Sequence, residues 1–203
     1  MNILYNINSS DFNKLMESDL DIKFATELAS YYTRTKFLDG IYYLCNKYNI
    51  RLSSEDLSNI IKFEYNDTKI LKYCNFDEDN MLCAIEYNNI KFVEDLCNYL
   101  HNYNLYFHHA AKKGNAKILM ILDRGEVQYF NALLNAVDNG DFDTVDYIIN
   151  KIKIIDDVES RMLTRRISSK FDRNLIIHLK LKGIQLNSSG IKSYFGNDIN
   201  PLV

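Results

Sequence analysis

Cysteine and histidine side chains are the first residues of this 203-residue chain that could do chemistry. Cys97 and His101 are four positions apart, a spacing that places both on one face of a helix, and Cys83 lies fourteen residues before Cys97. Thiolates and imidazoles are the usual zinc ligands, but the chain has no CxxC or HxxxH pair. We therefore expect no metal site, and a metal-binding or enzymatic helical-repeat protein is kept as an alternative.

Neither nucleophilic catalysis nor phosphate binding finds a matching motif. His108 and His109 are adjacent, so on a helix their side chains point about a hundred degrees apart and cannot serve one site. No GxxxxGK or GxGxxG segment, whose backbone amides could cradle a phosphate, is present. The sequence therefore predicts a protein with no catalytic residues and no cofactor.

A local basic stripe could bind a ligand. Its basic residues follow one another at near-helical spacing and are Arg161, Arg165, Arg166 and Lys170. The stripe could receive an acidic partner or a phosphate, and the segment RRIS resembles a basophilic kinase target at Ser168. The alternative is a solvated helix face on an acidic molecule.

Composition narrows the class of function. With 24 Lys and Arg against 27 Asp and Glu, the net charge of -3 argues against a nucleic-acid binder. No segment approaches the ~20 apolar residues of a membrane span, and the N-terminus does not resemble a signal peptide. The four cysteines show no tight pairing, which favours reduced thiols. We expect a cytoplasmic protein that does not bind membranes.

The elements that carry these residues repeat along the chain. Ala84, Ala110 and Ala136 are spaced 26 residues apart without gaps. Asn88, Gly114 and Gly140 share a break four residues later, and an apolar stripe follows each break. The stripes contain Phe92, Val93 and Leu96, then Ile118, Leu119 and Leu122, then Thr144, Val145 and Ile148.

One such unit predicts two helices joined at the break. The alanine lets the first helix approach its neighbour, and the stripe gives the second helix one buried face. Gly114 and Gly140 suit a turn with positive φ, which Asn88 also tolerates. A single helix pair cannot bury both of its faces, so we expect the pairs to stack into an α-solenoid.

Weaker copies flank the three clear ones and bring the total to about six units. They contain Ala29, Thr33, Phe37, Leu38 and Ile41, then Ile70, Leu71 and Cys74, then Ile167, Phe171, Leu175, Ile176 and Leu179. We predict an N-terminal capping helix over 1–25, the repeat array over 26–187, and a C-terminal cap and tail over 188–203. Ser53 and Asp56 predict a helix start, and the longest loop is expected around 151–160.

The segment HHAAKKGNAKILMILDRG resembles an ankyrin repeat. Its matching residues are His108, Ala110, Ala111, Gly114 and Gly125, and NAVDNGDFDTVDYIIN and DRNLIIHLKLKGIQLN, with Gly183, are similar to the family's other segments. The family's TPLH appears only as LYFH, and the period is 26 residues against about 33 in the family. The resemblance, which spans 26–187, implies an all-α, divergent ankyrin-like solenoid with shortened inter-repeat loops and a structural role for His108.

The resemblance also implies a function. Ankyrin-like arrays serve as non-catalytic protein–protein interaction scaffolds, so we expect an adaptor that binds a cellular protein and is itself a monomer or weak homo-oligomer. A chain rich in Asn, Ile and Tyr resembles the ankyrin proteins of large DNA viruses, which would place it in the host cytoplasm; protozoan or intracellular bacterial proteins look similar. A self-assembling structural or virion component is the alternative.

Partner contacts are expected at the first helices and the tips between units. Tyrosine is favoured at interfaces because it combines apolar area with a hydroxyl. The candidates on and beside the first helices are Tyr103, Tyr106, Tyr129, Lys112 and Lys113, together with Arg161, Arg165 and Arg166 of the basic stripe. Tyr106 could instead belong to the core.

Overall fold

A computed structural model describes residues 19–63, 65–170 and 172–195. Within these residues the chain forms twelve α-helices and one 3-10 helix. Outside the helices, the described residues hold one isolated parallel bridge, between Leu52 and Cys74, and no strand. The predicted all-α class is confirmed. Most of the predicted N-terminal capping helix lies outside the described residues.

Backbone contacts divide the chain between Leu100 and His101 into two compact units. The helices of the N-terminal unit are α1 (Ile22–Thr35), α2 (Leu38–Tyr48), α3 (Ser54–Lys62), the 3-10 helix (Thr68–Tyr73), α4 (Glu78–Glu86) and α5 (Ile90–Leu96). Those of the C-terminal unit are α6 (Tyr103–Lys113), α7 (Ala116–Leu122), α8 (Tyr129–Asn139), α9 (Phe142–Ile149), α10 (Asp157–Ser168), α11 (Arg173–Leu181) and α12 (Ser188–Phe195).

Each unit contains three consecutive helix pairs. In the N-terminal unit the first helices α1, α3 and α4 pack in sequence order, and α2 and α5 pack on α1 and α4. In the C-terminal unit α6, α8 and α10 pack in the same way, α7 and α9 contact each other behind them, and α12 lies against α10. This arrangement gives the first helices of each unit a shared face.

The 26-residue repeat is confirmed as a pair of packed helices. The second helices α5, α7 and α9 begin 26 residues apart, at Ile90, Ala116 and Phe142. Every residue of the alanine column and of the three apolar stripes is fully buried. The small alanine side chains therefore lie where neighbouring first helices approach, as the sequence predicts.

The break between paired helices combines a left-handed residue with a capping side chain. Gly114 has a φ of 71° and Gly140 a φ of 80°, and both end a first helix. The next residues, Asn115 and Asp141, accept a hydrogen bond from the backbone N–H three positions on. Asn89 and Asp172 cap α5 and α11 in the same way, and Asn88, Gly125 and Gly183 also have positive φ. The capping column was missed at the sequence level, although its 26-residue spacing is visible there.

Two parts of the predicted array differ in detail. Ile70 and Leu71 lie on the 3-10 helix rather than on a full second helix, and Cys74 lies beyond its end. The end of this 3-10 helix pairs with the segment before α3 through the isolated bridge, where the Leu52 N–H donates to the Tyr73 carbonyl at 2.7 Å. The second difference is that α1 runs through the predicted boundary at 25/26.

Other local predictions are confirmed. Ser53 and Asp56 form a reciprocal capping box at the start of α3. The predicted long loop separates α9 from α10, and a final helix spans Ser188–Phe195. None of the helices that the structure describes combines the length and hydropathy needed to cross a bilayer.

Candidate protein-interaction surface

The first helices α6, α8 and α10 place equivalent repeat positions in rows. Lys112 on α6 corresponds to Asp138 on α8, 26 residues later, and to Ser169 after another 31. Lys113, Asn139 and Lys170 form the neighbouring row at the same offsets. Because the three helices pack side by side, both rows lie across their C-terminal ends.

The two rows line a cavity that we call the basic groove. It has a volume of about 680 Å³ and is lined by Lys112, Lys113, Asp138, Asn139, Arg166, Ser169 and Lys170. Four of these side chains are cationic and one is anionic. The groove therefore concentrates positive charge on a chain whose net charge is -3.

Asp138 is the anion within the basic groove. Arg166 donates from Nε to Oδ1 at 2.8 Å and from Nη2 to Oδ2, and the Lys170 ammonium lies 3.7 Å from Oδ1. Asp138 belongs to the last turn of α8, where the helix dipole disfavours a carboxylate. The pairing with Arg166 and Lys170 offsets that effect and ties α8 to α10.

Asn139 ties the other side of the groove together. Its Nδ2 donates to the Lys112 carbonyl at 3.1 Å, so the C-terminal end of α6 is held against that of α8. The Lys112 side chain is exposed, and the structure pairs its ammonium with no carboxylate of the described residues. Its position is thus fixed at the backbone while its charge is open to solvent.

An apolar strip adjoins the basic groove. Leu134 and Met162 line a second cavity of about 480 Å³ that shares Arg166 and Ser169 with the groove. Met162 is 49% exposed, and Val158, one turn earlier on α10, is 56% exposed. We define the apolar strip as Leu134, Val158 and Met162. Exposed apolar side chains beside a polar groove are typical of interaction sites.

The predicted contact residues divide into two groups. Lys112, Lys113 and Arg166 meet in the basic groove, and Arg165 lines the cavity beside the apolar strip. Arg161 is exposed, but its Nε donates to the Asp157 carbonyl of its own helix and it does not line either cavity. The sequence does not reveal that α6 and α10 contribute to one groove.

The tyrosine candidates require correction. Tyr106 is fully buried, so it belongs to the core and cannot contact a partner. Its neighbours on the helix turn are Ala110 and Phe107, which are buried as well. Tyr103 is half-buried, with its hydroxyl 3.2 Å from His101 Nδ1. The abundance of tyrosine in this chain therefore does not by itself mark an interface.

Tyr129 belongs to a structural cluster around Asp123. Its hydroxyl donates to Asp123 Oδ1 at 2.6 Å, the Tyr147 hydroxyl donates to Oδ2 at 2.7 Å, and Lys151 Nζ lies 2.6 Å from Oδ2. Burial raises the pKa of Asp123, but the hydrogen bonds from Lys151, Tyr129 and Tyr147 outweigh it and the pKa is lowered. Burial and Asp123 raise the pKa of Tyr147 to about 12, so this hydroxyl stays protonated.

Three of the four cysteines are buried, and Cys83 is half-buried. Burial raises the pKa of Cys45 to about 11 and that of Cys74 to about 12, which leaves both thiols protonated and unreactive at neutral pH. Cys97 is buried, and the Cys83 thiol donates to the Ser58 carbonyl at 3.7 Å. Among the residues that the structure describes, no group of three His, Cys, Asp or Glu could hold a metal ion.

His108 and Ser168 have internal positions. His108 is half-buried with Nδ1 3.4 Å from Asn135 Nδ2, and burial lowers its pKa. This contact joins α6 to α8, as a structural histidine should. Ser168 is fully buried, so the predicted kinase target is wrong because its hydroxyl is inaccessible in the folded chain.

Comparison with known proteins adds no further information on function. No protein-family model matches the chain, and no curated protein or solved structure is significantly similar to it. In the C-terminal unit, the surface of the described residues combines the basic groove with the adjoining apolar strip.

Proposed function

We propose that the chain is a non-catalytic interaction protein of ankyrin-like α-solenoid architecture, and that it binds a protein partner through the exposed face of α6, α8 and α10. The observation that carries the proposal is the basic groove with the apolar strip beside it. Stacked helix pairs offer extended surfaces rather than enclosed pockets, and such surfaces suit protein partners.

Three features support this architecture. The helix pairs repeat at a fixed spacing, their first helices pack side by side within each unit, and left-handed residues end the first helices at equivalent positions. The resemblance of His108 to Gly125 to an ankyrin repeat agrees with these features. The short connections between successive helix pairs also support the proposal, because an array with shortened fingers would have such connections.

The surface is also suitable in its energetics. Interface hot spots combine apolar anchors with charged groups, and Met162 and Arg165 lie next to each other around the same cavity. Burial of one methionine side chain contributes about 1.5–3 kcal/mol. The cations of the basic groove add steering and register rather than bulk affinity.

The test is capture of a partner by the tagged full-length chain, followed by comparison of variants. Met162→Glu combined with Lys112→Glu places charges in both parts of the proposed surface and should abolish capture. Lys91→Glu combined with Lys117→Glu is the control, because both lysines are exposed on second helices and lie outside the two cavities. Circular dichroism verifies that both variants fold.

A partner captured equally by the surface variant and the control would overturn the proposal. Recovery of the chain alone, with a mass that grows with concentration in light scattering, would favour the self-assembling alternative. Capture that is lost only in the surface variant supports the assigned face.

A further inference from the structure

We propose that the basic groove binds an acidic segment of the partner protein through its carboxylates, and that Asp138 occupies part of this site when no partner is bound. The inference deepens the proposed function, because it names the chemistry of the segment that the surface recognises. It rests on the charge of the groove, on the geometry around Asp138 and on the apolar strip.

Cationic side chains outnumber anionic ones in the lining of the groove. Lys112, Lys113, Arg166 and Lys170 supply four positive charges, and Asp138 supplies one negative charge. Lysines at the end of a helix can simply offset its dipole, and Lys112 and Lys113 do lie in the last turn of α6. The helix dipole does not explain Lys170, which lies after the end of α10 and contacts Asp138 on α8. Convergence of cations from two helices on one cavity indicates an anion site.

Asp138 shows which anion the groove accommodates. Arg166 engages its two oxygens with two donors, Nε and Nη2, in the paired geometry that a guanidinium makes with a carboxylate. The pair is accessible, since the Arg166 side chain is 50% exposed and that of Asp138 is 27% exposed. A carboxylate arriving from solvent can therefore replace Asp138 on Arg166 without the opening of a buried core.

The spread of the cations favours several carboxylates over one compact anion. Lys112 and Lys113 belong to α6, and Arg166 and Lys170 lie at the end of α10, with α8 between the two helices. Packed helices are about 9 Å apart, so the two groups start from axes about 18 Å apart. An extended peptide covers this distance with about six residues at about 3.3 Å each. Acidic residues spaced along such a peptide can engage both groups, and a single phosphate is the compact alternative that the displacement experiment distinguishes.

The apolar strip supplies the second half of the recognition. It continues from the groove at Arg166 and Ser169, so a peptide lying across the three helices can place an apolar side chain over Leu134 and Met162. The predicted ligand is an extended segment with several Asp or Glu and one large apolar residue.

The test uses purified full-length chain and a fluorescein-labelled peptide of about eight residues, which is long enough to cross the groove and reach the apolar strip, with four glutamates and one leucine. Binding is measured by fluorescence anisotropy at about 0.05 M and about 0.3 M salt. We expect binding to the wild-type chain that weakens about tenfold at the higher salt. A peptide with lysine in place of each glutamate should not bind.

Two variants with opposite effects separate the proposal from a loss of folding. Lys112→Glu with Lys113→Glu should weaken binding about tenfold or more, while Lys91→Glu with Lys117→Glu makes the same change in net charge and should leave it within about twofold. Asp138→Asn removes the internal carboxylate and with it the ion pair to Arg166, while the Lys170 ammonium keeps its hydrogen bond to the backbone carbonyl of residue 138. The substitution should therefore tighten binding about three- to tenfold. An unfolded variant cannot produce this gain.

Each contrary result has one meaning. Equal binding by the two lysine pairs, or unchanged or weaker binding by Asp138→Asn, overturns the groove as the site. Displacement of the peptide by inorganic phosphate at equimolar concentration overturns the choice of carboxylates. If the peptide fails to bind while partner capture is still lost in the Met162 and Lys112 variant, this inference is wrong and the proposed function stands. If the peptide binds as expected but that variant still captures the partner, the proposed function is wrong.

Discussion

The two units use the same helix pair but connect their first helices with different chemistry. In the N-terminal unit, buried polar side chains cross between α1, α3 and α4. In the C-terminal unit, buried alanines separate α6, α8 and α10, and the polar contacts lie nearer the surface. The comparison shows that the same helix pair can be joined to its neighbour by buried polar side chains or by ion pairs near the surface. In the C-terminal unit the surface ion pair of Asp138 and Arg166 lies beside exposed cations.

The N-terminal contacts are centred on the third residues of two helices. Asp56 Oδ2 accepts hydrogen bonds from the Ser30 hydroxyl at 3.0 Å and from the Ser53 hydroxyl at 2.7 Å, and also from the Ser53 N–H. Asn80 donates to the Ser54 carbonyl at 2.9 Å and to a neighbouring serine of α3. Asp56 is 5% exposed and Asn80 is fully buried, so solvent cannot replace these bonds.

The largest effect should follow from Asp56→Ala. Three donors that converge on one buried oxygen would lose their acceptor, which costs about 3 kcal/mol of unfolding free energy. Asp56→Asn is the matched control, because its amide oxygen can take the place of Oδ2 and its NH2 group can face Thr33; we expect a loss of about 1 kcal/mol. Urea denaturation followed by circular dichroism measures both. Equal losses would show that the carboxylate geometry is not what holds α1 to α3.

A somewhat smaller loss is expected for Asp123→Asn in the C-terminal unit. The amide can accept only one of the two tyrosine hydrogen bonds and no longer attracts Lys151, so unfolding free energy should fall by about 2 kcal/mol. Asp143→Asn serves as the control, since Asp143 is exposed and lies in the first turn of α9. A loss as large as that of Asp56→Ala would remove the proposed distinction between internal and surface contacts.

The same cluster predicts a dependence on pH. The folded chain lowers the pKa of Asp123, so the stability that this carboxylate contributes is complete above the unfolded pKa of about 3.9. It is lost as the pH falls through the lower folded pKa, because both states are then protonated. The difference in melting temperature between wild type and Asp123→Asn should therefore be largest near pH 7 and should disappear at about pH 2. A constant difference would contradict the assignment to charge.

The turns differ between the units as well. The N-terminal unit uses Asn88 where the C-terminal unit uses Gly114 and Gly140, all with positive φ. A Cβ at Gly114 would contact the Asn139 side chain and lie 3.0 Å from Asp141 Cβ, whereas one at Gly140 meets nothing within 4 Å. We expect Gly114→Asn to cost about 2 kcal/mol and Gly140→Asn less than about 1 kcal/mol. Thermal denaturation compares them, and equal costs would show that backbone conformation alone decides.

The repeat could be predicted from the sequence because it depends only on the spacing of residues that are close together in the chain. The positions of Ala110, Gly114 and Leu119 determine a helix pair without reference to distant residues. Asp123 and Asp138 could not be assigned in this way, because their partners lie 6 to 32 residues away on other elements. The basic groove could be predicted only in part. Each group of cations can be found in the sequence, but the two groups are brought together only because the loop before α10 lengthens the spacing between the last two helix pairs from 26 to 31 residues.

The smallest effects should come from a pair of identical substitutions with opposite signs. Thr33 and Thr144 are both fully buried. The Thr33 hydroxyl donates to the Ser30 carbonyl at 2.7 Å and lies 3.4 Å from Asp56, whereas the Thr144 hydroxyl has no hydrogen-bond partner among the described residues. Valine preserves the shape of threonine, so the substitution removes only the hydroxyl in each case.

Thr33→Val should lower the unfolding free energy by about 1 kcal/mol, and Thr144→Val should raise it by up to about 1 kcal/mol. The other second helices support this expectation, because Phe92, Ile118 and Leu175 occupy the position of Thr144 with apolar side chains. Urea denaturation of the two variants under the same conditions gives the comparison. A loss of unfolding free energy in both variants would mean that the Thr144 hydroxyl has a hydrogen-bond partner in solution. The C-terminal unit would then be stabilised by buried polar contacts, as the N-terminal unit is.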